Sequence, residues 1–178
     1  MKWMIASDIH GSAYYCRKLL EAYTEEKADR MLLLGDILYH GPRNDLPRDY
    51  APKEVIALLN DIYCVRGNCD TEVDQMVLEF PVLSDYCVLA EGDLAIYATH
   101  GHIYNEQKLP PLHSGDILLH GHTHVPKCVV HEAEQYICMN PGSVSIPKED
   151  SWHGYMIWEG KDFVWKDFNG RGHLRYSV

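Results

Sequence analysis

Short apolar runs, each closing on glycine or a polar residue, organise the first third of the chain. Residues 3–7 predict a buried strand, and a helix follows over roughly 12–27, with Tyr15, Leu19, Leu20 and Tyr23 at helical spacing. Met31 to Leu34 predicts a second buried strand ending at Gly35-Asp36. The segment 37–51, with Gly41-Pro42 and Pro47 inside it and Pro52 just behind, reads as a long loop at the mouth of a site. A helix over 53–60 then leads into a strand at 62–66 and a Gly67-Asn68 turn, a dipeptide that ordinarily signals a positive φ angle. This strand–helix alternation predicts parallel βαβ units.

The pattern changes after a short helix over 71–78 that stops before Pro81. Strands are expected at 86–90, 94–99, 116–120, 127–131, 135–139, 154–158 and 163–167, several separated by turns such as Glu91-Gly92-Asp93 and Glu159-Gly160-Lys161. The last two read as a terminal hairpin with alternating aromatic and aliphatic positions, Tyr155 and Ile157 on one strand, Phe163 and Trp165 on the other. The sum is an α/β fold of one domain over residues 1–178, a two-sheet β-sandwich flanked by helices. No linker, repeat or low-complexity stretch interrupts it.

Composition narrows the function classes. A chain of 178 residues, 46% hydrophobic and 24% charged, belongs to the globular class. The formal net charge of −10 argues against non-specific binding to nucleic acid or anionic membranes, although bound cations would offset some of it. The six cysteines are scattered without a Cys-x-x-Cys pair, as expected for reduced thiols and a cytoplasmic protein. The N-terminal apolar stretch is too short for a signal peptide, and no run approaches membrane-spanning length.

Candidate chemistry sits where the strands end. Ser7-Asp8-Ile9-His10-Gly11, Gly35-Asp36, Gly67-Asn68-Cys69-Asp70, Thr99-His100-Gly101-His102 and Gly121-His122-Thr123-His124 all lie at or near the close of an apolar run. Singly, each is ordinary: Gly-Asp is usually a turn, and a His-x-His pair is often just solvated. Together they gather oxygen and imidazole ligands at one sheet edge, as a two-metal phosphoesterase requires. Asp8 and His10, two residues apart, are expected to point the same way, and His122 and His124 to reach different ions. Gly35 is expected to allow a tight strand exit and close approach of a metal.

These clusters resemble those of the calcineurin-like metallophosphoesterases. The longer phrases, His40-Gly41-Pro42-Arg43-Asn44, Glu72-Val73-Asp74-Gln75-Met76 and Asn140-Pro141-Gly142-Ser143-Val144-Ser145-Ile146-Pro147-Lys148, resemble the family's small bacterial phosphodiesterases of the YfcE type. The likeness runs from residue 4 to about 148. It implies an αββα sandwich and a dinuclear centre. Asp8, His10, Asp36 and His124 would hold one ion; Asp36 would bridge to a second, held also by Asn68, His100 and His122. A hydroxide between the two ions would attack phosphorus in line, with Asn68 and His100 in the catalytic set. The ligands suit Mn²⁺ foremost, with Fe, Ni or Zn also compatible.

One position departs from the family pattern. Many relatives carry a histidine after the Asn of the Gly-Asn motif, and here that residue is Cys69. It reads as a small residue filling space rather than as the proton donor to the leaving group, which implies a preference for good leaving groups. His40, Arg43 and Asn44 are candidate substrate contacts in the long loop, with internal loop bonding the competing account. His102 is a candidate for orienting a ligand, and Arg66 for pairing a buried carboxylate or clamping substrate.

The expected activity is hydrolysis of a small phosphodiester. A phosphomonoesterase, a protein phosphatase or a dinucleoside polyphosphate hydrolase would need the same ligands. A silent protein-binding scaffold of the same fold would be expected to have lost some, and a nuclease is disfavoured by the charge. A homo-oligomer is expected from base rates alone, the aromatics reading more simply as sheet packing.

Overall fold

The computed structural model describes residues 1–178. Its elements are β1 (Lys2–Ala6), α1 (Ala13–Glu26), β2 (Arg30–Leu33), α2 (Pro52–Leu58), β3 (Tyr63–Cys64), α3 (Glu72–Gln75), β4 (Tyr86–Glu91), β5 (Leu94–Thr99), β6 (Ile117–Leu119), β7 (Lys127–His131), β8 (Tyr136–Asn140), β9 (Gly154–Glu159), β10 (Asp162–Asp167) and β11 (Gly172–Ser177). They form two sheets, ordered β11-β10-β9-β1-β2-β3 and β4-β5-β6-β8-β7. The β1/β2/β3 ladder is parallel, as the alternation predicts, and so is β5/β6/β8. Two parallel units therefore deliver their carboxyl ends to one rim, where side chains from both sheets can meet.

Period-two alternation divides β1 and β2 between two apolar layers. Trp3, Ile5, Leu32 and Leu34 face the second sheet's Ile96, Ala98, Ile117, Leu119 and Met139. Met4, Ala6, Met31 and Leu33 face the helices, meeting Ala13, Cys16, Leu19 and Ala22 of α1 and Val55 of α2. Strands buried on both faces explain why these runs read as continuously apolar. Ser12 caps α1 by accepting from Tyr15 N–H at 3.3 Å, and Pro52 opens α2, a position where its missing N–H costs nothing. The outer face of the second sheet carries Tyr97, Leu118, Tyr136 and Cys138, covered in part by Tyr104 and Leu112 of the 101–116 loop. No helix is long and apolar enough to cross a membrane, and all six cysteines are free.

The expected hairpin forms as β9 and β10, and β11, which was not expected, extends it to a three-stranded meander through a register shift at Trp165/Lys166. Its four singled-out side chains divide between two faces. Tyr155 and Ile157 pack toward the helices, whereas Phe163 and Trp165 point between the sheets opposite Trp158 and Met156. The helix expected over 71–78 closes after one turn, since the Gln75 side chain accepts from Val82 N–H at 2.8 Å and donates to Phe80 O at 3.1 Å, folding the chain back.

Trp165 is fully buried between the sheets and donates its indole N–H to Asn140 O at 2.6 Å. Trp165→Ala is expected to cost about 3–5 kcal/mol by chemical denaturation, the usual range for emptying so large a site; a loss under about 1 kcal/mol would place the sandwich core elsewhere.

Candidate metal centre

Five of the seven candidate ligands have left-handed backbones: Asp8 (φ 61°), His10 (49°), Asp36 (56°), His122 (66°) and His124 (63°). Each such residue costs on the order of 1 kcal/mol, so their concentration at one rim marks a place where the surrounding structure imposes conformation. It also corrects the spacing argument. β1 ends at Ala6, so Asp8 and His10 lie beyond the pleat. They share a direction because both are left-handed, with buried Ile9 turned into the helix-side core between them.

Fixed hydrogen bonds aim the rings. The Nδ1 atoms of His10, His100 and His124 lie 2.8 Å from Tyr39 O, 2.6 Å from Leu34 O and 2.6 Å from Ile146 O. A carbonyl only accepts, so each Nδ1 carries a proton and each Nε2 turns inward. His10 Nε2 and His124 Nε2 then face each other at 3.3 Å, and both approach Asp8 Oδ1, at 3.5 and 3.2 Å. On the other side His100 Nε2 lies 3.1 Å from Asn68 Oδ1 and 3.2 Å from His122 Nδ1. Asp36 Oδ2 sits between the halves, 3.8 Å from His10 Nε2 and 3.4 Å from His100 Nε2. The geometry thus separates His124 from His122 and sets Asp36 Oδ2 between the two groups.

The donor set fits divalent cations. Asp8 Oδ1 is buried without a hydrogen-bond donor, and the facing Nε2 atoms of His10 and His124 call for positive charge, a proton or a cation, between them. Protonation responds to the same deficit. Burial alone would raise Asp8, yet His10 and His124 hold it well below the usual carboxylate range. Burial would lower His100, but Asp36 against its ring, with Asp8 nearby, pushes it up to about 9. His122 goes the other way, to about 4, through burial and the charge on His100.

Supporting groups the sequence reading left without a role hold this geometry. Buried Asp70 accepts N–H bonds from Asp36 (2.8 Å), Ile37 (2.9 Å) and Gly67 (2.7 Å), tying the loop after β2 to the loop after β3. Cys69 N–H donates to Asp36 Oδ1 at 2.8 Å, leaving Oδ2 for the centre. Gly67 has no positive φ, contrary to the turn expectation; a Cβ there would collide with the Asp36 carboxylate. Gly35 likewise makes room for the Gly67 backbone rather than for a metal. Ser143 and Ser145 hydroxyls both donate to Asp8 O, at 3.0 and 3.1 Å, and Asn140 Nδ2 donates to Gly121 O at 2.8 Å. The only advance signal for these was the Asn140–Lys148 phrase itself.

A cleft of about 300 Å³ opens over Asp36, Asn68, His122 and His124, lined also by Arg43, Asn44, Cys69 and Lys148. Asn44 spends its amide on His40 O at 2.7 Å, so the loop-bonding account holds for that group. His40 does not line the cleft; it packs edge-on against Tyr39 and Tyr50. Arg66 pairs with Asp85 at 2.5 Å, a carboxylate that is partly exposed rather than buried. His102 lies 5.4 Å from His100, ring centre to ring centre, with a buried Nδ1 that has no partner.

Comparison with known proteins agrees with this architecture. Residues 1–162 match the family model of the calcineurin-like phosphoesterase superfamily domain. Phosphodiesterase YfcE of Escherichia coli K12 is 45% identical over 152 residues, spanning 83% of this chain and 82% of the relative. Phosphodiesterase MJ0936 of Methanocaldococcus jannaschii is 27% identical over 150 residues, 80% of this chain and 83% of its own. The solved structure of the E. coli phosphoesterase Yfce superposes with a TM-score of 0.95 at 37% identity, covering 100% of both chains. Vps29 from Chaetomium thermophilum shares the fold, with a TM-score of 0.60 at 18% identity over 100% of this chain and 95% of its own. With both sheets and the family match in agreement, the chain belongs to the calcineurin-like phosphoesterase superfamily.

Proposed function

We propose that this protein is a metal-dependent phosphodiesterase acting on a small diester, with residues 1–178 forming one catalytic domain. The observation that carries the reading is the pair of ligand groups meeting at Asp36, one of Asp8, His10 and His124, the other of Asn68, His100 and His122. Each group would hold one divalent cation, Mn²⁺ foremost, with Asp36 shared. Cations held by these residues would supply Lewis acidity toward phosphoryl oxygens and would lower the pKa of an attacking water. The kinship to curated phosphodiesterases supports diester over monoester substrates.

The chain's own residues complete the chemistry. Arg43 and Lys148 place positive charge at the cleft, where a phosphodiester anion would be drawn in and oriented. Cys69 lines the same cleft, but burial and the neighbouring Asp36 carboxylate push its thiol far up, so it stays protonated and is a weak acid. Its backbone N–H fixes Asp36 while the side chain fills space. With Cys69 so weak an acid, leaving groups that depart unprotonated, such as aryl oxides and phosphates, would be favoured.

Three outcomes test this reading. With Mn²⁺, bis-p-nitrophenyl phosphate is expected to turn over faster than p-nitrophenyl phosphate; the reverse order would favour a phosphomonoesterase. Asp36→Asn is expected to lower kcat/KM more than about 100-fold and to reduce bound metal, since even supporting contacts to a metal site cost about 10–100-fold. Near-normal rates would move the centre elsewhere. Because His100, raised to about 9, must lose its proton to bind a cation, apparent metal affinity should climb as pH rises from 6.5 toward 9. His122, lowered to about 4, has no proton to lose in that window. Calorimetry in buffers of different ionisation enthalpy would count the protons; zero release at pH 7 would contradict the proposed role of His100.

A further inference from the structure

A second cluster of metal-loving atoms lies on the outer face of the β4-β5-β6-β8-β7 sheet. His120, just after β6, Cys138 in β8 and Glu106 in the 101–116 loop bring a ring nitrogen, a thiol and a carboxylate oxygen within 4.8 Å of one another. The phosphodiesterase reading uses none of the three. His120 and Cys138 are buried, at 3% and 0% exposure, and the Glu106 side chain is 26% exposed, so the cluster has an inner end and an open end.

The orientation of the ring is what distinguishes this cluster from a chance contact. His120 Nδ1 lies 3.1 Å from Gly121 O, to which it donates, so Nε2 directs its lone pair at Cys138 Sγ, 3.3 Å away. The same carbonyl device aims His10, His100 and His124 in the main centre. Zinc–sulfur and zinc–nitrogen bonds of about 2.3 and 2.1 Å in tetrahedral geometry put the two donor atoms roughly 3.6 Å apart. The pair is therefore nearly at ligating separation already. Glu106 is held in place by Lys127 at 2.5 Å and His131 at 3.0 Å, and His131 Nε2 is thereby brought to the open end.

We propose that Cys138, His120 and Glu106 form a site for a thiophilic divalent cation, zinc being the ion that this donor set suits, with His131 reaching the fourth position. On binding, the Cys138 thiol proton passes to solvent as the sulfur–metal bond forms, and Lys127 moves off the Glu106 carboxylate. The ion would join β6, β8 and the 101–116 loop one residue before Gly121, whose carbonyl also takes the Asn140 amide. Its role is structural: it stiffens the strand end that presents His122 and His124.

Titration of the chelator-treated full chain with Co²⁺ and Zn²⁺ tests the site without reference to activity. The wild type is expected to develop a thiolate-to-cobalt charge-transfer band. Cys138→Ala should lose that band and one zinc per chain, while Cys69→Ala keeps both. An unchanged band and zinc content in Cys138→Ala, or a band abolished by Cys69→Ala instead, would overturn the proposal. Should Cys138→Ala fail to fold, Glu106→Ala, altered at the open end, is expected to weaken the same zinc equivalent at least tenfold; unaltered affinity would overturn it equally. Because this cluster is separate from the cleft, loss of metal by Asp36→Asn leaves the result interpretable.

Discussion

Mutual repulsion is the constraint on which the rest of this structure turns. Two imidazole Nε2 atoms face each other at 3.3 Å, and two buried carboxylates share their surroundings. Left to itself such an assembly would swing apart, because rotating any one ring or carboxylate relieves it. It stays together because almost no torsion is free. Three rings are pinned through Nδ1 to carbonyls of three different segments, and five ligand residues are held in left-handed backbone that non-glycine residues ordinarily avoid. The fold supplies the rigidity that keeps these side chains in a geometry that positive charge would relieve.

That rigidity originates in the two parallel ladders. Parallel strands direct successive carboxyl ends to one rim, and only there can loops from both sheets interleave. The cross-connections are backbone to side chain rather than ligand to ligand. Asp70 fastens the loops after β2 and β3, the two serines of the 143–145 segment fasten Asp8, and Asn140 fastens the loop that carries His122 and His124. Trp165, reaching from β10 to Asn140 O, links the sandwich interior to the last of these.

How much of this was legible depended on whether the signal was local. Buried strands on both sides of the first helix read directly from Ile5 and Leu32, because continuous apolar runs have few other uses. The candidate ligands were legible as a set, since Asp, His and Asn at strand ends have a recognisable chemistry, and the fold brings them to one rim. Backbone conformation was not. Asp8 and His10 share a direction for a reason that residue spacing cannot express, and Gly67 serves space while its sequence neighbourhood advertises a turn. β11 escaped notice because its edge position and the register shift beside Trp165 leave no clean alternation to read. The faces of Tyr155 and Phe163 were likewise hidden, since both strands are apolar enough for either assignment.

Asp70 illustrates why supporting residues are harder to read than ligands. Its carboxylate is buried, and burial raises its pKa despite three N–H donors. A buried acid beside Asp36 adds like charge where charge is already crowded, so electrostatics alone would argue against it. Its value lies in geometry: two oxygens accept from three amides in two loops, fixing the backbone nitrogens of Asp36 and Gly67 at once. An amide at this position would present only one oxygen to the three donors and set an NH₂ group against the others. The position therefore asks for a carboxylate despite its charge, and the sequence marks it only by adjacency to Cys69. The same reasoning extends to the left-handed residues: what looks costly in isolation is the consequence of requiring one arrangement from loops that begin in different sheets.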